Sequence, residues 1–430
     1  MWAIELSIAG LVVLALMLTG MWIPFAVGIA GLIIIWLEAG TNGFRALGLI
    51  SWSTLSSFTL TALPLFILMA EILSNAGLGS RFYNGTALLV RRLPGGLLQT
   101  NILGSALFAS ICGSSAATAA TIGTVALPQL DARGYDPKLS CGSLAAGGTL
   151  GILIPPSLTM IIYGTITEVS IAKLFMAGVL PGALLAGLFS VYVGARAVIS
   201  PQIAPREDTP ADPAEIRRAL FDLVPFLGLI FMVLGTIYFG IATPTESAAL
   251  GCVLAFAIAA VSGGLSRAVL MRALQRTVET SATLLFIILG AFFFGYGIEL
   301  GGIGTSLVEF ISGLGFDAFT FLLILMGVYI ILGCFLDGAG MIVLTVPLLL
   351  PVLEALQVDL VWFGIFVVVM LEMGMLTPPF GLNLFVVQGI SRWGLGIIVA
   401  GTVPFVLIMM GFMVLLMIFP EVALWLPSRM

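Results

Sequence analysis

The chain has 430 residues, 60% of them hydrophobic and 9% charged, with a formal net charge of −5 and a mean hydropathy of +1.21. Soluble domains carry about 25% charged residues, so this composition excludes a water-soluble enzyme or binding module and leaves a membrane protein. No histidine occurs, which removes the commonest metal ligand and proton shuttle, and no basic surface favours nucleic acid. Cys112, Cys141, Cys252 and Cys334 lie inside apolar segments without CxxC spacing and read as small core residues.

In chain order, the start Met1-Trp2-Ala3-Ile4-Glu5 lacks the basic region of a cleavable signal, so the first helix is expected to stay as a span. Residues 6–37 and 223–245 contain no charge, and a span needs roughly 20 apolar residues. Spans are read near 4–20, 23–39, 56–78, 140–167, 173–195, 219–239, 241–262, 280–298, 361–389 and 396–419. Segments 98–130 and 320–352 read as helical hairpins that enter and leave on one side, and 40–55, 80–92 and 305–314 as helices along the interface, with Arg45 and Trp52 as anchors. The proline-rich stretch 197–218 is read as an irregular cytoplasmic linker. Placing Arg91 and Arg92 inside leaves only Arg45, Lys173 and Arg429 of the 16 cationic residues outside, as the positive-inside rule requires.

An internal repeat organises these segments. Pro155-Pro156 recurs as Pro378-Pro379, 223 residues on, and the same offset carries Pro128 to Pro351, Asp136 to Asp359, Gly151 to Gly374 and Gly178 to Gly401. Gly20, Pro24 and Gly31 match Gly240, Pro244 and Gly251 at 220, and Gly77 and Gly79 match Gly302 and Gly304 at 225. With the basic loops inside, the first hairpin opens to the cytoplasm and the second to the other face. The expected fold is therefore an all-α polytopic membrane protein of two inverted-topology repeats, 1–196 and 219–430, each with a re-entrant hairpin and a discontinuous helix (140–167 and 361–389).

The chemistry is expected where the backbone is irregular at membrane depth, since such backbone is tolerated only under protein or in a wet cavity. Pro155-Pro156 and Pro378-Pro379 break their helices and free carbonyls, which suit a small cation, while half-helix N-termini suit an anion. One cation site is expected among Gly113, Ser114, Ser115, Thr149 and Gly151, and a second among Asp337, Gly338, Gly340, Gly374 and Thr377. Ser157, Thr159 and Asn383, just past the prolines, are candidates to face substrate. Asp337 reads as a functional carboxylate, because a charge inside a span costs about 2.5–3.5 kcal/mol. Glu246 reads as a helix-capping residue behind Thr243 or Thr245; for Glu71 and Glu372 a relay and a structural pairing both stay open.

At these stretches the chain resembles the large membrane subunit of tripartite ATP-independent periplasmic (TRAP) transporters, the DctM-like permeases. The resemblance rests on Gly113 to Gly123, Gly147 to Ser157, Gly240 to Ala248 and Gly374 to Gly381, and extends over almost the whole length. It implies an elevator-type, sodium-coupled importer of an organic acid in a bacterial or archaeal inner membrane. It also implies two partners, a small four-helix membrane subunit and a soluble periplasmic substrate-binding protein, with membrane lipid around them. A stand-alone ion-coupled carboxylate carrier is the alternative; a channel or a membrane enzyme fits less well, since no nucleophile–base spacing can be named.

Overall fold

The computed structural model describes residues 10–16, 18–205, 212–379 and 381–430. The start of the expected span 4–20, with residue 17, and the middle of the linker, residues 206–211, therefore lie outside the described residues. A first helical stretch, α1, covers residues 10–16. It is followed by α2 (Ile23–Gly43), α3 (Leu47–Leu55), α4 (Ala62–Asn75) and α5 (Leu78–Val90). Then come α6 (Leu97–Cys112), α7 (Ser115–Ala132), α8 (Pro137–Leu153), α9 (Leu158–Thr167) and α10 (Ile171–Ile199). The second part runs α11 (Pro213–Tyr238), α12 (Pro244–Val261), α13 (Arg267–Leu300), α14 (Ile303–Gly313), α15 (Ala318–Gly333) and α16 (Gly338–Ala355). It closes with α17 (Leu360–Leu376), α18 (Leu382–Ile390), α19 (Leu395–Ile418) and the short α20 (Glu421–Leu424). No strand occurs among the described residues, and nine of their helical segments are long and apolar enough to cross a membrane.

Residue pairs matched by the sequence offsets adopt matching local structure. Asp136 and Asp359 are the N-caps of α8 and α17, each carboxylate accepting from the third helical amide, Leu139 N at 2.8 Å and Trp362 N at 2.9 Å. Gly77 and Gly302 both stand in the left-handed region, at φ 73° and 59°, and start α5 and α14. Pro128 and Pro351 both lie inside the second arm of a hairpin. Both Pro-Pro bonds are cis.

Two groups of helices emerge. In the first, α2 crosses α13 with glycines at the contact: a Cβ on Gly31 would come within 2.6 Å of the Phe294 amide nitrogen, and one on Gly290 within 2.8 Å of the Pro24 carbonyl. Helices α4 and α12 pack beside them. In the second group, α8 packs on α6, α7 and α19, and α17 packs on α15, α10 and α19. Each half-helix that follows a break lies on the other part's hairpin, α9 on α16 and α18 on α7. That exchange interlocks the two parts around the breaks.

Several boundaries differ from the sequence reading. The span expected at 280–298 is a helix of 34 residues, Arg267–Leu300, roughly 50 Å long. Its basic first turns stay helical because Val269, Ala273 and Thr277 keep one face buried at helical spacing. The linker is more ordered than expected at both described ends. Helix α10 runs on to Ile199, a 3₁₀ turn covers Pro201–Ile203, and Asp212 caps α11. The turn is held down where Asp136 N donates to the Ile203 carbonyl at 3.0 Å and the Tyr135 hydroxyl to the Pro205 carbonyl at 3.2 Å. The segment 40–55 divides into the end of α2, a kink at Gly40, and α3, with Arg45 and Trp52 exposed.

Candidate functional site: two hairpin tips and two helix breaks

The first hairpin turns at Gly113-Ser114, between α6 and α7. Gly113 adopts φ 59°, and a Cβ there would press within 2.8 Å of the Pro156 carbonyl, so a glycine lets the tip sit directly on the break. Ser114 caps α7, its carbonyl accepting the Thr118 hydroxyl at 2.8 Å. Gly151, near the end of α8, faces that same carbonyl: a Cβ would lie 2.8 Å from Ser114 O and 2.9 Å from Thr118 Oγ1. Of the first expected cation set, Gly113, Ser114 and Gly151 thus meet at backbone distance. Thr149 is fully buried, and its hydroxyl donates to the Ala146 carbonyl of its own helix at 2.8 Å.

Ser157 spans the first break. Its hydroxyl donates to the Ile152 carbonyl at 2.6 Å, on the far side of the two prolines, and accepts from Met160 N at 3.4 Å as the N-cap of α9. A serine at this position satisfies a carbonyl that Pro-Pro leaves without a helical donor. Thr159 follows inside the first turn of α9, half-buried.

The second hairpin turns between α15 and α16. Asp337 caps α16 at the tip, accepting Gly340 N at 3.0 Å, with part of its surface exposed and its carboxylate beside Ile23. Gly374 lies against the end of α15, where a Cβ would come within 2.8 Å of Gly333 Cα. Gly338 faces Leu371 and Met375. The Thr377 hydroxyl donates to the Met373 carbonyl at 2.7 Å, and Gly381 lies over the carbonyls of Met375 and Thr377. The two breaks differ in cover: Pro155 and Pro156 are buried, whereas Pro378 and Pro379 are exposed.

Asn383, in the first turn of α18, is fully buried and reaches the first half. Its amide donates to Ser115 Oγ at 2.7 Å and to the Ala145 carbonyl at 3.1 Å. Ser115 is thereby tied to α18 and, through the same amide, to α8. Sequence reading missed Thr118, Gly333 and Ala145. Only Thr118 had a signal, one helical turn past Ser114, where its hydroxyl reaches the tip carbonyl.

The remaining acidic candidates separate. Glu246 forms the capping box with Thr243, accepting the Thr243 amide at 2.8 Å, which bears out the capping reading. Glu71 accepts the Asn75 side-chain amide at 2.8 Å. Glu372 is fully buried in α17, and neither carboxylate oxygen has a hydrogen-bond partner among the described residues. Two cavities lie away from the tips, between the two helix groups. One of about 630 Å³ is lined by α13 and α16 residues including Tyr296, Glu299, Pro347 and Glu354, and one of about 580 Å³ by Ser53, Thr59, Glu168 and Thr245.

Residues 11–422 match the family described as "Tripartite ATP-independent periplasmic transporter, DctM component". The chain belongs to this family. It is 34% identical over 443 residues to the C4-dicarboxylate TRAP transporter large permease protein DctM of Rhodobacter capsulatus, covering 98% of each chain. To the sialic acid TRAP transporter large permease protein SiaM of Vibrio cholerae it is 30% identical, covering 87% of each. The solved structure of the Alcanivorax borkumensis YdaH transporter shares the fold, with a TM-score of 0.64 at 16% identity, over 93% of this chain and 97% of that one. The chain is thus a multi-pass, all-helical TRAP large permease, a transporter component and not an enzyme.

Proposed function

We propose that this permease imports an organic acid in symport with sodium, by an elevator movement, across a bacterial or archaeal inner membrane. The candidate cargoes are C4-dicarboxylates, sialic or sugar acids, and similar carboxylates, by similarity to relatives named for C4-dicarboxylate and sialic acid. In this reading the two parts of the chain are inverted repeats. Helices α6 to α10 and α15 to α19 form the moving unit, and the group around α2, α4, α12 and α13 is the scaffold.

The observation that carries the reading is the seating of the first hairpin tip on its break, where Gly151 abuts the Ser114 carbonyl and Gly113 the Pro156 carbonyl. That contact brings up carbonyl and hydroxyl oxygens (Ser114 O, Thr118 Oγ1 and Pro156 O), the hard donors a sodium ion takes, and the Ser115 hydroxyl follows directly in the chain. The second set offers the Asp337 carboxylate and the carbonyls beside Gly374 and Gly381. The N-terminal amides of α9 and α18 point from the breaks and suit a carboxylate. No arginine or lysine lies in either break, so backbone dipoles and hydroxyls do the recognition. Two partners complete the proposal, a small four-helix membrane subunit and a periplasmic substrate-binding protein.

The test is uptake of labelled succinate, sialic acid and a panel of competing carboxylates into proteoliposomes, with and without a sodium gradient, partner subunit and binding protein. Sodium-driven uptake of one acid that needs both partners is expected. Uptake indifferent to sodium would defeat the coupling. Uptake undiminished without the binding protein would instead favour the stand-alone carrier.

A further inference from the structure

The two breaks are matched in sequence but not in wiring. Asn383 corresponds at the 223 offset to Met160, an apolar side chain buried against Gly178. At this matched position, among the described residues, the second break sends a polar side chain across to the opposite hairpin and the first does not. That side chain is completely buried, and its amide nitrogen donates both to Ser115 Oγ at 2.7 Å and to the Ala145 carbonyl at 3.1 Å. The partners belong to the two elements that build the first site: Ser115 opens the second arm of the hairpin, and Ala145 lies in α8, ahead of Gly151. The Asn383 oxygen is itself buried and has no hydrogen-bond partner among the described residues, where the group is held by its nitrogen.

A serine hydroxyl has two acceptor lone pairs and one donor hydrogen. When Asn383 donates to Ser115, one lone pair is taken and the rotor loses its freedom, leaving the second lone pair in a fixed direction. We propose that Asn383 is a positioning residue that sets Ser115 for cation binding and thereby couples the first site to the second break. This rests on the sodium reading above and extends it: occupancy at one half's tip is felt at the other half's break, through one amide. Linkage makes the effect reciprocal, so whatever α18 gains from sodium at the first site, sodium gains equally from an anion held at α18. At the matching place in the first half, Met160 can neither donate nor accept; the polar link from α9 into the second part is the Tyr163 hydroxyl, which donates to the Leu360 carbonyl at 2.7 Å, at the start of α17 and away from the second tip.

The test uses the full-length purified chain and sodium alone, read as the sodium-dependent rise in melting temperature in detergent at constant ionic strength. Ser115→Ala and Asn383→Ala are compared singly and together, with Asn383→Leu as a second apolar variant that refills the volume. Each single variant is expected to weaken apparent sodium affinity about five- to tenfold, and the double variant no more than the worse single, because both remove one interaction. A merely structural asparagine would lower the melting temperature in the absence of sodium and leave the affinity where it was, in both Asn383→Ala and Asn383→Leu. That result, or effects that multiply in the double variant, would overturn the coupling. If Ser115→Ala itself leaves sodium affinity unchanged while the chain stays folded, the first-site assignment fails instead, and the two failures are thus distinguishable.

Discussion

Gly151→Ala places one methyl group against the tip of the first hairpin, and its effect can be worked from the contacts. The added Cβ would lie 2.8 Å from the Ser114 carbonyl oxygen, 2.9 Å from its carbon and 2.9 Å from Thr118 Oγ1. Two of these three are backbone atoms, so relief requires the tip to move away from α8 rather than a side chain to rotate. Overpacking of this kind costs typically about 1–3 kcal/mol. The gain in helix propensity from glycine to alanine returns up to about 1 kcal/mol, but it acts on α8 and not on the tip. If about 1–2 kcal/mol of that cost is borne by a displaced tip, and the tip carries the sodium ligands, apparent sodium affinity falls by about five- to thirtyfold at 1.4 kcal/mol per decade. The assay is the sodium dependence of uptake in proteoliposomes, with melting temperature measured alongside. Gly411→Ala is the control: Gly411 sits in α19 with nothing within 4 Å of its would-be Cβ, so the same chemical change there is expected to be neutral or stabilising by about 0.5–1 kcal/mol. A folded Gly151→Ala protein with unchanged sodium dependence would refute the argument that this contact builds a cation site.

Three further expectations follow from other contacts. Ser157→Ala removes both the donor to the Ile152 carbonyl and the cap of α9, and is expected to destabilise by about 1–2 kcal/mol, seen as a lower melting temperature, and to reduce uptake. Asp131 accepts both Arg392 Nε at 3.0 Å and Trp393 Nε1 at 3.1 Å, tying α7 to the turn before α19. Asp131→Ala should therefore lower the melting temperature more than Arg392→Ala, which removes an exposed ion pair worth at most about 1 kcal/mol and the guanidinium's contact over the Trp393 ring at 4.9 Å; equal shifts would mean that the indole bond weighs no more than that ring contact. Gly374→Ala drives a methyl group into the Gly333 backbone and should disturb the second tip while leaving the first intact, read as a change in sodium cooperativity rather than a complete loss of sodium response.

Much of the fold was legible because its key residues encode backbone directly. A Pro-Pro pair ends a helix wherever it occurs, an Asp followed by helical residues caps it, and a Gly-Ser turn between apolar arms makes a hairpin. Asp136 and Asp359 could be matched across the offset and both cap helices. The basic start of α13 misled the reading for a physical reason: membrane spans end at charges, but helices do not, and Arg267, Arg272 and Arg276 continue the same helix beyond the apolar stretch. The placement of Asn383 was illegible in a different sense. Its position past the prolines suggested substrate, yet what an asparagine donates to is decided by packing across 268 residues of chain, and no local pattern reports that α18 would lie on α7. Glu372 shows the same limit: its sequence setting left a relay and a pairing open, and burial without any hydrogen-bond partner among the described residues narrows the pairing reading without supplying a role.

The unequal cover of the two breaks has a consequence that the native cysteines can report. Cys112 immediately precedes the first tip and is 5% exposed, while Cys334 ends α15 at the second tip and is only half-buried. The same asymmetry holds at the prolines, buried in the first break and exposed in the second, so the two thiols sample the same distinction through independent groups. A thiol reacts according to its access to solvent. A water-soluble maleimide should therefore modify Cys334 at least about ten times faster than Cys112. Cys252 is replaced by alanine first, because it is also half-buried and lies on α12, away from both tips. Sodium should alter the Cys334 rate if the second tip closes over its break, and should leave Cys112 slow, since its tip is already seated on the Pro156 carbonyl. Equal rates at the two thiols would mean that both tips are covered to the same extent, and would remove the ground for calling the first closed and the second open.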